Sequence, residues 1–137
     1  MHYQGLRFEK IPPGEMSLED MTWFREIKSV RKNDFKKMVG RVFDGEWDLR
    51  RLPAPAKGLA VTYPEDGKLF IYYLHGSGLF GSLNKEDLLQ AARDDGLKGV
   101  ACITNTTSRR RLLERVGFRV TGFSEGAWDL ELDDGQE

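Results

Sequence analysis

The sequence has little of the residue types on which several classes of site depend. Its 137 residues include one cysteine, Cys102, and two histidines, His2 and His75. A single cysteine excludes an internal disulfide framework and any all-cysteine metal site. Two histidines so far apart give no zinc-binding pattern, so we expect no metal. Because Cys102 lies in the apolar run 100–104, we interpret it as a small buried hydrophobic residue and not as a nucleophile.

An excess of charge and a long hydrophobic run are also missing. The 21 basic and 22 acidic side chains leave a net charge of -1, whereas a nucleic-acid-binding protein needs a basic excess to displace counterions. No run approaches the roughly 20 apolar residues of a membrane-spanning helix. The first ten residues also lack the apolar core of a secretory signal. We therefore expect no nucleic-acid or membrane partner, and a cytoplasmic location.

Length and composition indicate one folded unit. Hydrophobic residues make up 39% and charged residues 31% of the chain, as in globular domains. A chain of 137 residues is long enough for one core and too short for two. We expect a single domain over residues 1–132 and a disordered acidic tail over residues 133–137.

The first third of the chain predicts a strand around Tyr3–Ile11 and then two helices. Ser17 is placed to cap the first helix, with Asp20 at the third helical position. Either Asn33 or Asp34 is expected to cap the second helix, whose apolar residues recur with a helical period.

A linker with two prolines over residues 52–58 separates these helices from β-rich sequence. The runs 59–63 and 68–74 flank Asp66-Gly67, a typical hairpin turn. The remaining elements are expected in the order helix, strand, helix, strand, strand, over residues 85–95, 100–104, 108–116, 118–121 and 128–132. The full order, β-α-α-β-β-α-β-α-β-β, predicts an α/β domain with a mixed central sheet flanked by helices.

Three segments between Gly81 and Phe118 carry a family resemblance. A helix follows Gly81 and ends at Gly96-Leu97, the run from Val100 ends in Asn105, and the last predicted helix ends in Gly117-Phe118. Together they resemble the GNAT superfamily, the GCN5-related N-acetyltransferases. The element order outside residues 81–118 is similar to that of the family as well.

The resemblance implies a site for acetyl-CoA. It implies that the strands 69–74 and 100–104 are parallel neighbours that separate at mid-sheet, with the thioester bound to the backbone of the first. The pyrophosphate would lie on the glycine-rich loop 76–82, before a helix N-terminus. The same loop matches a dinucleotide pattern, which we disfavour because the next helix starts after Asn84 and not at the third glycine. The cofactor-binding residues so implied are Tyr72, Leu74, Gly76, Gly78, Phe80, Gly81, Ser82, Asn105 and Arg109.

The family's signature positions on the last helix are only partly filled. Where many members carry a tyrosine as general acid, four residues before the Gly-Phe pair, this chain has Leu113. The family's asparagine would fall on Thr106, and Asn105 stands one residue earlier. Since a helix cap can absorb a shift of one residue, Asn105 remains a catalytic candidate.

Two further catalytic candidates lie on the strand 69–74 and just after it. Tyr72 and Tyr73 are expected to face opposite sides of the sheet, because side chains alternate along a strand. One of them, assigned here as Tyr73, would donate a proton to the leaving thiolate. His75 is the histidine nearest the site and the candidate general base for the amine.

Two hypotheses follow from these residues. The first is a divergent acetyl-CoA-dependent N-acyltransferase acting on a small-molecule or protein amine, with Arg109 against a CoA phosphate. The second is a catalytically inactive GNAT-fold protein that binds a protein partner through Arg110 and Arg111, expected to point outward. The helix entry Asn105-Thr106-Thr107-Ser108, followed by Leu112-Leu113, is similar in a general way to that of GNAT-like virion and assembly proteins of short-tailed bacteriophages. For a phage-encoded protein, we expect a location in the host cytoplasm or the virion. A solvated helix face is the third explanation of the arginine run.

Overall fold

A computed structural model describes residues 8–30, 32–52, 56–78 and 83–133. The strands are β1 (Glu9–Lys10), β2 (Asp48–Arg51), β3 (Lys57–Glu65), β4 (Lys68–Ser77), β5 (Gly99–Thr104), β6 (Arg119–Ser124) and β7 (Ala127–Asp133). The helices are α1 (Leu18–Val30), α2 (Lys32–Phe43), α3 (Lys85–Asp94) and α4 (Thr107–Val116). The predicted order is confirmed except for one additional strand, β2.

All the strands belong to one mixed sheet. Its order is β1-β2-β3-β4-β5-β7-β6, and the central neighbours β4 and β5 are parallel. The other neighbouring pairs are antiparallel. The parallel pairing that the family resemblance implied is therefore confirmed, with α3 in the connection between β4 and β5.

Helices cover the sheet on both faces. Leu88 of α3 and Leu113 of α4 pack in one buried cluster with Leu69 of β4. Ile27 of α1 and Met38 of α2 pack in a second cluster, which contains the other set of alternating strand residues. Among the helices of the described residues, none has the length and hydropathy needed to span a bilayer.

Local chemistry explains where several elements begin. Ser17 and Asp20 form the predicted capping box, since the backbone N–H of each donates a hydrogen bond to the other's side chain at 3.0 Å. Asn84 caps α3, because its Oδ1 accepts from the backbone N–H of Asp87. Asp66 and Gly67 both have positive φ, 54° and 80°, as the hairpin turn requires.

Three boundaries differ from those expected. Of the strand expected around Tyr3–Ile11, the described part contains only Glu9–Lys10, and residues 1–7 lie outside it. The expectation that Asn33 or Asp34 precedes the second helix is wrong, because α2 already begins at Lys32.

The boundary expected for the acidic tail, at residue 133, lies one residue inside the last strand. Asp133 is the last residue of β7, where its carboxylate accepts hydrogen bonds from Lys68 and Arg119. These hydrogen bonds lower the pKa of Asp133. The rest of the tail, residues 134–137, lies outside the described residues.

Strand β2 is held by a buried arginine. Arg50, only 2% exposed, donates to Thr62 Oγ1 at 2.9 Å, to the carbonyl of Phe8 at 3.0 Å and to Asp95 Oδ2 at 2.9 Å. Burial lowers the pKa of Arg50, and the carboxylate of Asp95 opposes that shift. The network ties the start of the described chain, β2, β3 and the end of α3 together.

Candidate functional site

Strands β4 and β5 are paired over only part of their length. Their last pair is Ile71 with Cys102, although β4 continues to Ser77 and β5 to Thr104. Beyond that pair the two strands separate and enclose a cleft of about 670 Å³. This volume lies within the range of about 300–1,000 Å³ that is typical of small-molecule sites.

The separation begins at a β-bulge in β4. Val61 of β3 faces Tyr73, and Thr62 faces Ile71, so Tyr72 is the extra residue. A bulge bends the strand and interrupts both its pairing and its alternation. Tyr72 and Tyr73 consequently pack on the same side, against the α1/α2 cluster. The expectation that they face opposite sides of the sheet is therefore wrong.

The cleft brings together several residues that the sequence singled out. Tyr72, Tyr73, Leu74, Asn105 and Arg109 all line it. Of the described residues that line the cleft, Arg109 is the only one with a charged side chain. Within the described ranges, no group of three potential metal ligands comes together.

Arg109 crosses the cleft from α4 to β4. Its Nη1 donates to the carbonyl oxygen of Leu74 over 2.9 Å. The side chain of Arg109 starts from the first turn of α4, where Thr106 is the N-cap. Thr106 Oγ1 accepts a hydrogen bond from the backbone N–H of Arg109 at 3.3 Å. Asn105 precedes this cap and is exposed at the edge of the cleft.

His75 lies next to the cleft and not in its lining. Its Nε2 is 3.0 Å from Oε1 of Glu26 on α1, and its ring stacks near Tyr73 with centroids 6.1 Å apart. Trp23 packs against the same imidazole in a T-shaped arrangement, at a centroid distance of 5.6 Å. Sequence reasoning missed Glu26 and Trp23, because nothing in α1 signals that it packs beside the end of β4.

Gly76 and Ser77, expected in the phosphate loop, belong to β4. Gly76 pairs with Gly58 of β3, and a Cβ added at Gly76 would lie 2.2 Å from the carbonyl oxygen of Lys57. Close packing of two strands therefore accounts for this glycine. Gly78 follows with a φ of 75°, whereas the expected ligands Phe80, Gly81 and Ser82 lie outside the described residues.

The acidic residues of the first turn of α3 are held by side chains of that helix and its cap. Asn84 Nδ2 donates to Asp87 Oδ2 at 2.8 Å, and Arg93 Nη1 donates to Glu86 Oε2 at 2.9 Å. The carboxylates of Glu86 and Asp87 therefore have hydrogen-bond partners on α3 or at its N-cap.

The arginines after Arg109 do not form the expected outward pair. The guanidinium carbon of Arg110 lies 4.7 Å from the ring centroid of Trp128, a cation–π contact on β7. Arg111 is exposed. Arg110 is three residues before Leu113, so it lies near the face of α4 that packs on the sheet.

Cys102 lines the cleft but is poorly suited to nucleophilic chemistry. Burial raises the pKa of its thiol to about 12, although the charge of Arg109 opposes the shift. A thiol with this pKa is almost entirely protonated at neutral pH.

We expect Cys102 of the folded protein to react with Ellman's reagent at least about a hundredfold more slowly than in denaturant, because the native thiol is buried and protonated. The release of the coloured thiolate over time, with and without guanidinium, measures this ratio. Equal rates would show that the thiol is accessible in the native state.

Comparisons with known proteins identify the fold but not a relative by sequence. No protein-family model and no curated protein matches the chain by sequence. A solved GNAT-family protein from Desulfovibrio desulfuricans superposes with a TM-score of 0.62 at 12% identity, covering 92% of this chain and 97% of that one. The Bacillus subtilis acetyltransferase in complex with CoA superposes with a TM-score of 0.56 at 14% identity, covering 93% of this chain and 98% of that one. The PaiA N-acetyltransferase of Thermoplasma acidophilum in complex with coenzyme A superposes with a TM-score of 0.55 at 12% identity, covering 85% of this chain and 87% of that one. The fold is that of the GNAT acetyltransferases, as the resemblance implied.

Proposed function

We propose that the protein binds acetyl-CoA in the cleft between β4 and β5 and supports direct transfer of the acyl group to an amine. The observation that carries the proposal is the separation of these parallel strands after Ile71 and Cys102. Among the described residues, no strand pairs with this edge of β4 beyond Ile71, and an extended ligand can take that place. Two of the structural neighbours, from B. subtilis and T. acidophilum, were solved with CoA.

The residues of the cleft fit such a ligand. The lining combines apolar, hydroxyl and amide side chains, and its charged member is the cation Arg109, which suits an anionic molecule. We assign Tyr72, Leu74, Asn105 and Arg109 to the cleft, with Gly76 at the end of β4. Gly78, Phe80, Gly81 and Ser82 remain proposed ligands in the segment that leads to α3. Acetyl-CoA would supply an acyl group activated as a thioester.

Three side chains are proposed to act on the reacting groups, two of them by transferring protons. Tyr73 lines the cleft, and its phenol is the proposed donor to the departing sulfur. His75 is the proposed base for the amine, which attacks only when neutral. When Glu26 accepts from Nε2, Nδ1 of His75 is left as the nitrogen with a free lone pair. Asn105 would orient the reacting groups through its amide at the edge of the cleft.

Acetyl-CoA at about 100 times its dissociation constant is expected to raise the free energy of unfolding by about 2.7 kcal/mol, because it binds only the folded chain. Thermal unfolding with and without acetyl-CoA measures the shift, with ATP at the same concentration as a polyphosphate control. No shift at millimolar acetyl-CoA would rule out the proposed function. An equal shift with ATP would reduce it to nonspecific anion binding.

The alternative, a catalytically inactive protein-binding domain, is not supported by a specific observation. It relied on Arg110 and Arg111 as an outward pair, and Arg110 packs on Trp128. None of the structures named above is described as a bacteriophage protein, so the comparisons give that origin no support.

A further inference from the structure

Arg109 links the two sides of the opening at a defined place. Its helix follows β5, and its guanidinium bonds to Leu74, three residues beyond Ile71 in the last pair of β4 with β5. The side chain therefore crosses the cleft where the strands have already separated. A ligand that lies along this part of β4 meets the guanidinium directly.

The acceptor that Arg109 uses is one that an extended ligand needs. Leu74 faces Ala60 of β3 on one side, and its carbonyl is directed to the other side, toward Arg109 and the cleft. An extended molecule with amide groups binds a strand edge by donating its N–H groups to such carbonyls. The pantetheine arm of CoA is a molecule of this kind, with two amides. The arm and the guanidinium therefore compete for the same backbone atom and the same space.

The contact is suited to opening. Within the described part of the chain, no carboxylate forms an ion pair with Arg109, and the bond to Leu74 is made to a neutral carbonyl. A guanidinium bound to a carboxylate would be held by a bidentate, charge-assisted pair, which is stronger. The side chain is also only partly buried, so it can return to water when it leaves the carbonyl.

We propose that Arg109 is a latch on the cleft. In the free protein it occupies the edge of β4 at Leu74, and it must release that carbonyl before the arm of an acyl-CoA can bind there. The inference rests on the proposed function and concerns access to the same site. Arg109 controls entry in this proposal and takes no part in the chemical step.

Calorimetric titration of Arg109→Ala with pantetheine and with CoA tests the latch. Arg111→Ala is the matched control, because it removes the same charge from the same helix at an exposed position. Pantetheine carries no phosphate, so removing a positive charge does not weaken its binding by loss of an attraction to phosphate. We expect Arg109→Ala to bind pantetheine about tenfold more tightly than the wild type or Arg111→Ala, as when one charge-assisted hydrogen bond no longer has to break.

The outcomes separate the latch from the proposed function. If Arg109→Ala binds both ligands no more tightly than Arg111→Ala, the latch is wrong; a loss confined to CoA would make Arg109 a phosphate contact. If the wild type and every variant fail to bind either ligand, the proposed function fails with it. Arg109→Met, which keeps an apolar stem but cannot donate, is expected to change affinity in the same direction and covers the case that the alanine variant is unstable.

Discussion

Replacing Gly76 by alanine is expected to lower the free energy of unfolding by more than about 3 kcal/mol, the range of severe steric substitutions. The new Cβ would lie 2.2 Å from the carbonyl oxygen of Lys57 and 2.9 Å from the Cα of Gly58. Both are backbone atoms in the β3–β4 ladder, so neither can move without breaking strand pairing. Urea unfolding followed by far-ultraviolet circular dichroism gives the change.

Gly40→Ala is the matched control for this substitution. Gly40 lies inside α2, and a Cβ there meets no atom within 4 Å. Because alanine is a better helix former than glycine, the free energy of unfolding of this variant is expected to rise by about 0.5–1 kcal/mol. A stable Gly76→Ala protein would show that the two strands do not approach so closely, and the phosphate loop would again be the main reason for a glycine there.

Removing the side chain of Arg50 by alanine substitution is expected to lower the free energy of unfolding by about 3–5 kcal/mol, as for other broken buried ion pairs. The change takes away the buried partner of Asp95 and removes the hydrogen bonds that Arg50 donates to Thr62 and to the carbonyl of Phe8. Asp95 would retain the ion pair with Lys10, whose side chain is 49% exposed and therefore a weaker partner. Denaturant unfolding measures the loss.

Arg119→Ala provides the comparison for Arg50. Arg119 also pairs with a carboxylate, that of Asp133, but its side chain is 57% exposed. Exposed pairs contribute about 0–1 kcal/mol, so this variant should be close to the wild type. Similar losses from the two variants would mean that burial of Arg50 adds nothing to the strength of its network.

The elements were predictable where local chemistry decides them. Ser17 with Asp20, and Asp66 with Gly67, are short-range signals, and both mark the boundaries that the structure has. Strand β2 was not predictable, because its sequence Asp-Leu-Arg-Arg is polar. Its burial depends on the partners of Arg50, which lie far away in the chain.

The site was predictable in outline only. The family resemblance assigned Tyr73 and Arg109 to one acetyl-CoA site, and both line the cleft. The bulge at Tyr72 is a shift of register between β3 and β4, and the sequence of β4 alone contains no record of it. Glu26 reaches His75 through the packing of α1, which a reading of local motifs does not give.

The incomplete ladder between β4 and β5 bears on how such a protein can diverge. The two strands separate where the extra residue Tyr72 interrupts the regular pairing of β4, so the opening depends on the number of residues in β4 as well as on their identity. Substitutions along the walls can accumulate while the opening survives, whereas deletion of the single residue Tyr72 would remove the bulge and its bend and restore regular alternation where β4 leaves β5. Substitutions in β4 are therefore expected to be tolerated better than insertions or deletions. That freedom fits a chain that has this fold at only 12–14% identity to the solved structures on which it superposes.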